Sequence, residues 1–264
     1  MARPIRDSWP AAPWAWAWLG MALGALLALV LFAPARWLAA GLERASGGRV
    51  VLDDPSGTIW TGSARLLLAG GRGSNDVAAL PGRIGWRLRP AWGGVDTELS
   101  ADCCTDEPLP MSARLRWGGA ELRIGNQRTH WPAAVLAGLG TPWNTLQIDG
   151  NLLLSTQGLS VEWNEGRLAV AGRAELTASR LSSRLSTLKP MGSYRITLTG
   201  GSPSTLQLDT LEGALQLTGT GQWIGSRLRF SGTASAAPER EAALSNLLNI
   251  IGRRSGARSI ITIG

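Results

Sequence analysis

Polar and apolar residues alternate one for one along much of this chain. Ile84, Trp86 and Leu88 alternate with Arg83, Gly85, Arg87 and Arg89, and Met111, Ala113, Leu115 and Trp117 with Ser112, Arg114 and Arg116. The same pattern runs through Leu122 and Ile124, through Leu159, Val161 and Trp163, and through Tyr194, Ile196 and Leu198. A period of two gives each run one apolar and one solvated face, the mark of half-buried antiparallel strands. Turn residues punctuate the runs at Gly118-Gly119, Asn164-Glu165-Gly166, Gly200-Gly201 and Glu212-Gly213. Residues 146–232 therefore read as a meander of short strands, and 34 Gly and 14 Pro supply its turns.

Helical periodicity is confined to a few places. The segment PARWLAAGLERAS, residues 34–46, opens with Pro and stops at Gly47-Gly48, which predicts a short helix. Residues 131–139 predict a helical turn. A third helix opens at Pro238-Glu239-Arg240-Glu241, places Leu244, Leu247, Leu248 and Ile251 at i, i+3, i+4, i+7, and stops at Gly252. Residues 259–263 add a last strand. The loop at 100–110 is the best position for a division of the chain.

Ahead of all this lies WAWAWLGMALGALLALVLF, residues 14–32, with no charged side chain. At 1.5 Å per residue such a helix spans roughly 28 Å, close to a bilayer's hydrocarbon thickness. Trp14, Trp16 and Trp18 cluster at one end and Trp37 follows the other, as in an aromatic belt. The run exceeds a signal-peptide core and no clean small-x-small cleavage site follows it, which favours an uncleaved anchor. Residues 1–13, with Arg3 and Arg6 against Asp7, are expected to stay in the cytoplasm, and residues 33–264 to form one exported β-rich domain.

The formal charge is +7, from 26 basic and 19 acidic residues. The arginines stand singly between apolar residues, with no basic block, so they read as the solvated face of a sheet rather than a nucleic-acid surface. An enzyme needs ionisable groups converging on one place. The single histidine, His130, precedes Trp131-Pro132 and reads as a capping or surface residue. Asp53 and Asp54 are adjacent, so in a strand they point to opposite faces and cannot act as an acid/base pair on one substrate; with Pro55 they suit a turn. Asp102, Asp106 and Glu107 lack the spacing of a calcium loop. No nucleophile, phosphate-binding or metal motif stands in its required context. The reading is a non-enzyme without cofactor, catalytic residue or metal site.

Cys103 and Cys104 are neighbours in ADCCTDEP. In an oxidising compartment a vicinal disulfide is the favoured reading, with two free thiols or bridges to another chain as alternatives. Two ligands alone do not make a zinc site. Earlier in the chain, residues 50–71, VVLDDPSGTIWTGSARLLLAGG, read as a hairpin, with strands 50–53 and 59–68 joined at Asp54-Pro55-Ser56-Gly57. Gly57 supplies turn freedom, Trp60 anchors a core or groove wall, and Gly62 permits close backbone approach.

The order of these features resembles the type II secretion system protein N family. The resemblance rests on Asp54-Pro55-Ser56-Gly57-Thr58-Ile59-Trp60-Thr61-Gly62, on Trp131-Pro132-Ala133 through Gly140-Thr141-Pro142, on Leu188-Lys189-Pro190-Met191-Gly192-Ser193-Tyr194-Arg195, and on the C-terminal helix. The signature residues are Gly57, Trp60, Gly62, Gly192, Tyr194 and Arg195. The G-T-x-W-x-G core is also similar to segments of AsmA-like envelope proteins. The resemblance implies a mainly β fold, one transmembrane helix followed by a curved antiparallel sheet of many short strands with two or three short helices. It implies a bitopic protein of the Gram-negative inner membrane with its bulk in the periplasm. Its role would be an accessory scaffold in export of folded proteins, with inner-membrane platform proteins and the outer-membrane secretin as partners and no nucleic acid. The AsmA likeness implies an alternative, an envelope module that binds or handles phospholipid.

Overall fold

The computed structural model describes residues 14–71, 76–141, 143–165, 167–225 and 227–264. The expected cytoplasmic segment 1–13, Pro142 and Gly166 of the expected turn at 164–166 lie outside them. The uncharged run forms α1, Trp14–Leu31, with no residue buried in the protein. It is long and apolar enough to cross a membrane. The amphipathic α2, Ala35–Ala45, follows Pro34 directly and buries Ala35 and Ala39. Gly47 and Gly48, at φ 65° and 80°, end it as expected.

The remaining chain is one antiparallel sheet. In chain order its strands are β1 Val50–Gly57, β2 Thr61–Ala69, β3 Val77–Ala79, β4 Ile84–Ala91, β5 Gly94–Ala101, β6 Leu109–Arg116, β7 Gly119–Ile124 and β8 Arg128–Pro132. The 3-10 helix Ala133–Leu139 and the single-turn α3, Trp143–Leu146, interrupt it. Then come β9 Ile148–Asn164, β10 Arg167–Ser183, β11 Gly192–Gly201, β12 Thr205–Gly213, β13 Leu215–Ile224 and β14 Arg227–Ala236. Helix α4, Glu241–Ile251, precedes β15 Arg253–Ser255 and β16 Arg258–Ile263. The spatial order is β1-β2-β4-β5-β6-β7-β9-β10-β11-β12-β13-β14-β16-β15, with β3 on β2 and β8 on β9. The sheet never closes, so β1 and β15 are its edges.

Several sequence expectations need correction. Strands β9 and β10 run 17 residues each, longer than the alternation suggests. Their pairing shifts register between Ala171 and Arg173 and again between Ser179 and Ser182. Each bulge resets the two-residue period, so one long strand looks like two short ones. Trp131 lies in β8, and the helical turn starts only at Ala133. Helix α4 starts at Glu241, after Pro238 rather than on it. The loop at 100–110 divides nothing, because β5 and β6 on either side of it are hydrogen-bonded neighbours.

The two faces differ. One carries the arginines: Arg87 and Arg89 reach Glu98 at 3.1 and 3.3 Å, Arg114 pairs with Asp96, and Arg116 and Arg123 both clasp Glu121. The other face carries the apolar residues and the helices. Helix α2 packs on β1 and β2, the 3-10 helix on β2, β3 and β9, and α4 on β14 to β16. One apolar cluster gathers Ala39, Leu52, Ala64, Ile84 and Trp86; a larger one joins Leu152, Tyr194 and Leu215 to Leu244, Leu247 and Leu248 of α4. Trp131 packs against both.

Leu248 has no exposed surface. Leu248→Ala is expected to cost about 2–5 kcal/mol through lost burial and the cavity left behind, read as a lowered unfolding midpoint in urea for the detergent-solubilised chain. Glu121 and Asp54 are both held below the usual carboxylate range, chiefly by hydrogen bonds from Arg116 and Arg83 respectively. Because the folded state favours the charged form, their contribution is present above the ordinary carboxylate value of about 4 and is lost as pH falls through the lowered values. The melting temperature should therefore fall below that pH, and fall less steeply in the Asp54→Asn, Glu121→Gln double variant.

Candidate functional site

The signature around Trp60 folds into the turn between β1 and β2, one step later than expected. The turn residues are Thr58, Ile59 and Trp60, and β1 continues through Asp54 to Gly57. The stretch expected as the turn is instead a register shift between Asp53 and Ser56, with Asp54 at φ 49°. Arg83 holds this bulge: Nη1 donates to Asp54 Oδ2 at 2.8 Å, Nη2 to the Asp54 carbonyl at 2.7 Å, and Nε to Ser63 Oγ at 3.2 Å. Asp54 is thus a structural ligand of Arg83.

The Thr58 side chain closes the turn. Its hydroxyl accepts from the backbone N–H of Trp60 and of Thr61, at 3.2 and 3.1 Å. Gly57 sits at φ 87°, in the region open to glycine. Gly62 is required by packing: a Cβ there would lie 2.5 Å from the Trp86 ring and 2.6 Å from the Ser56 carbonyl oxygen. Trp86 is buried, and its Nε1 is shared between the Thr58 and Ile59 carbonyls at 3.3 and 3.2 Å. The half-buried Trp60 joins the turn to α1, since its Nε1 donates to the Val30 carbonyl at 2.8 Å. The Ile59 N–H donates to the Ala33 carbonyl at 2.9 Å, and Pro34 bridges to Thr58.

Gly192, Tyr194 and Arg195 lie in β11, seven strand positions from β2. At about 4.8 Å per strand that is roughly 34 Å, so the two signature groups do not form one site. Tyr194 is buried and its hydroxyl donates to the Leu215 carbonyl at 3.0 Å. Burial pushes the phenol far above its usual range, which keeps it a neutral donor. Gly192 has no side chain because Tyr194 occupies the space; a Cβ would lie 2.6 Å from the Tyr194 hydroxyl oxygen. Arg195 is on the polar face, with Nε 3.2 Å from Glu175 Oε1, an ion pair rather than an aligned hydrogen bond.

Cys103 and Cys104 lie in the loop between β5 and β6, their sulfurs at bonding distance and their Cα atoms 3.7 Å apart. The Cys104 carbonyl accepts the His130 N–H at 2.8 Å, tying this loop to β8. His130 is an exposed strand residue and caps no helix. Among the described residues no group of three or more His, Cys, Asp or Glu is placed to hold a metal ion. Arg83 and Trp86 escape sequence reasoning as partners of the signature; their only signal is that they open the alternating run facing it. Leu115 and Trp117, expected on a buried face, are 77% and 102% exposed, because no helix reaches that end of β6.

Both signature groups therefore do packing work. Gly62→Ala is expected to destabilise by about 1–3 kcal/mol through forced displacement of Trp86. Tyr194→Phe should cost about 1–2 kcal/mol by leaving the Leu215 carbonyl without its donor. Both are read from urea unfolding monitored by near-ultraviolet circular dichroism.

Comparison with known proteins agrees with this architecture. No curated protein and no solved structure matches the chain. The model of the family described as type II secretion system (T2SS), protein N, matches residues 48–261, from the start of β1 into β16. The match takes in both signature groups and every strand, and the chain belongs to the type II secretion system protein N family.

Proposed function

We propose that the chain is an accessory, non-enzymatic, bitopic scaffold of the type II secretion apparatus. In this reading α1 sits in the inner membrane with the N-terminus cytoplasmic. The sheet stands in the periplasm, and the protein links the inner-membrane platform to the secretin while folded proteins cross the outer membrane. The observation that carries it is the family match over residues 48–261. The form of the sheet supports it. Strand β15 pairs with Arg258 to Ile260, so among the described residues the far side of β16 beyond Ile260 has no neighbouring strand. A strand edge of this kind is a template for strand addition by a partner. In an oxidising periplasm Cys103 and Cys104 would form a vicinal disulfide that stiffens their loop.

One observation favours a second reading, an envelope module that binds phospholipid. Helix packing is concentrated on β1 to β3, β9 and β14 to β16. The apolar side of β6, β7 and β9 toward the β6–β7 and β9–β10 turns stays open, with Leu115 77% and Trp163 55% exposed. Co-purification of phospholipid after detergent-free extraction, read by native mass spectrometry, separates this reading from the first.

Photo-crosslinking from position 263, in cells with a complete, working apparatus, tests the scaffold. The expected outcome is adducts with the secretin or a platform protein. Adducts with neither, while secretion proceeds, would sink it.

A further inference from the structure

The hairpin tips of the sheet point alternately to two ends. The β1–β2, β4–β5, β6–β7, β9–β10, β11–β12 and β13–β14 turns all lie at one end, as the antiparallel pairings require. The end of α1 is fixed at this same end, through Trp60 to Val30 and Ile59 to Ala33. Helix α2 then runs away from it, since Pro34 is beside Thr58 and Ser46 accepts the N–H of Val50 at the opposite end of β1. The turns next to the anchor thus share the end of the sheet from which the membrane helix leaves.

Two of those turns have the same make-up. Trp92-Gly93 links the paired Ala91 and Gly94, and Trp117-Gly118 links the paired Arg116 and Gly119. Gly93 and Gly118, at φ 71° and 80°, make the tight reversal and leave the tryptophan at the apex. Trp92 is 101% exposed and Trp117 is 102% exposed. Inside a sheet protein an indole with no covering side chain gives up the burial that its surface would otherwise gain. Neither turn carries a charged residue, whereas the next turn along the sheet carries Glu165.

We propose that Trp92 and Trp117 seat this end of the sheet in the headgroup region of the bilayer that α1 spans. Indole suits that depth, its ring in the apolar boundary and its N–H toward water and headgroups. Across the sheet the β4–β5 tip lies about two strand spacings, roughly 10 Å, from the β1–β2 turn, and the β6–β7 tip about four, roughly 20 Å. Along the strands the register carries Trp92 about 13 Å and Trp117 about 20 Å past Trp60, so the three tips fall near one line slanted to the strands, and the bilayer surface would follow that line. Sheet twist sets the limit. With about 20° between strands, successive tips differ by about 40°, so if the β4–β5 tip points at the bilayer, its two neighbours still lean toward it. The β9–β10 tip is then turned about 80° and the β13–β14 tip points away. Their tryptophans are less exposed in step: Trp163 is 55% exposed and Trp223 is half-buried. The proposal needs only that α1 spans a bilayer and is independent of which secretion proteins the chain meets.

The test uses the full chain in nanodiscs of phosphatidylcholine and phosphatidylglycerol, without other proteins. Spin labels replace Trp92, Trp117 or, at the opposite end of the sheet, the exposed Arg184. The expected result is a ratio of oxygen to nickel-chelate collisions several-fold higher at 92 and 117 than at 184. Water-like ratios at all three positions would overturn the proposal, and would be the outcome if a protein or glycan partner covers the tips instead. A second measurement addresses the native indoles: brominated lipid should quench less of the tryptophan emission in the W92F, W117F double variant than in the parent. Equal quenching would count against the seat, and the α1 tryptophans remain in both proteins as the internal standard.

Discussion

A sheet this wide has more apolar face than its helices can cover. Fourteen strands follow one another along the hydrogen-bonded path, while the helices facing them are α2, a 3-10 turn, the single-turn α3 and α4. The helices settle where they bury most, at the two flanks and under β9. There Ala64, Ala133, Leu244 and Leu248 lose all contact with solvent. Between those clusters the sheet is sustained by its ladder and by Trp131, which touches both. The open stretch of β6 and β7 is a direct result of this shortage, and so are the exposed Leu115 and Trp117.

The polar face has a different economy of interactions. Its arginines are paired across neighbouring strands with Asp96, Glu98, Glu121 and Glu175. Exposed pairs of this kind add little stability each. Their stronger effect is on register, because a one-residue slip of any strand would carry an arginine to the apolar face. Among the described residues the basic excess is thus spread along a sheet opposite these carboxylates.

The sheet, its antiparallel sense and the long apolar helix were legible in the sequence, because period two and a long uncharged run are local signals. The details lost were those set by distant residues. Asp54-Pro55-Ser56-Gly57 has turn composition, yet Arg83 holds it in a bulged strand from 29 residues away. The bulges in β9 and β10 break the period and hide the full length of both strands. Tyr194 and Gly192 stood out as a motif, but only the fold shows that one fills the space the other leaves. The same holds for Trp60, whose hydrogen bond to Val30 cannot be inferred from a strand pattern.

That bond also decides what the sheet can do. A flexible tether would let the domain tumble beneath the membrane; here the last turn of α1, the Pro34 bridge and α2 are all locked to the first hairpin. Orientation is therefore set at the β1 edge. From there thirteen strand spacings, at about 4.8 Å each, make roughly 60 Å of ladder, measured along the sheet, to the β15 edge. One edge of the ladder is thus fixed to the long apolar helix, and the opposite edge lies at the far end of the sheet. A body with a fixed end, a distant edge and a continuous hydrogen-bonded path between them is the form that the proposed scaffold role calls for.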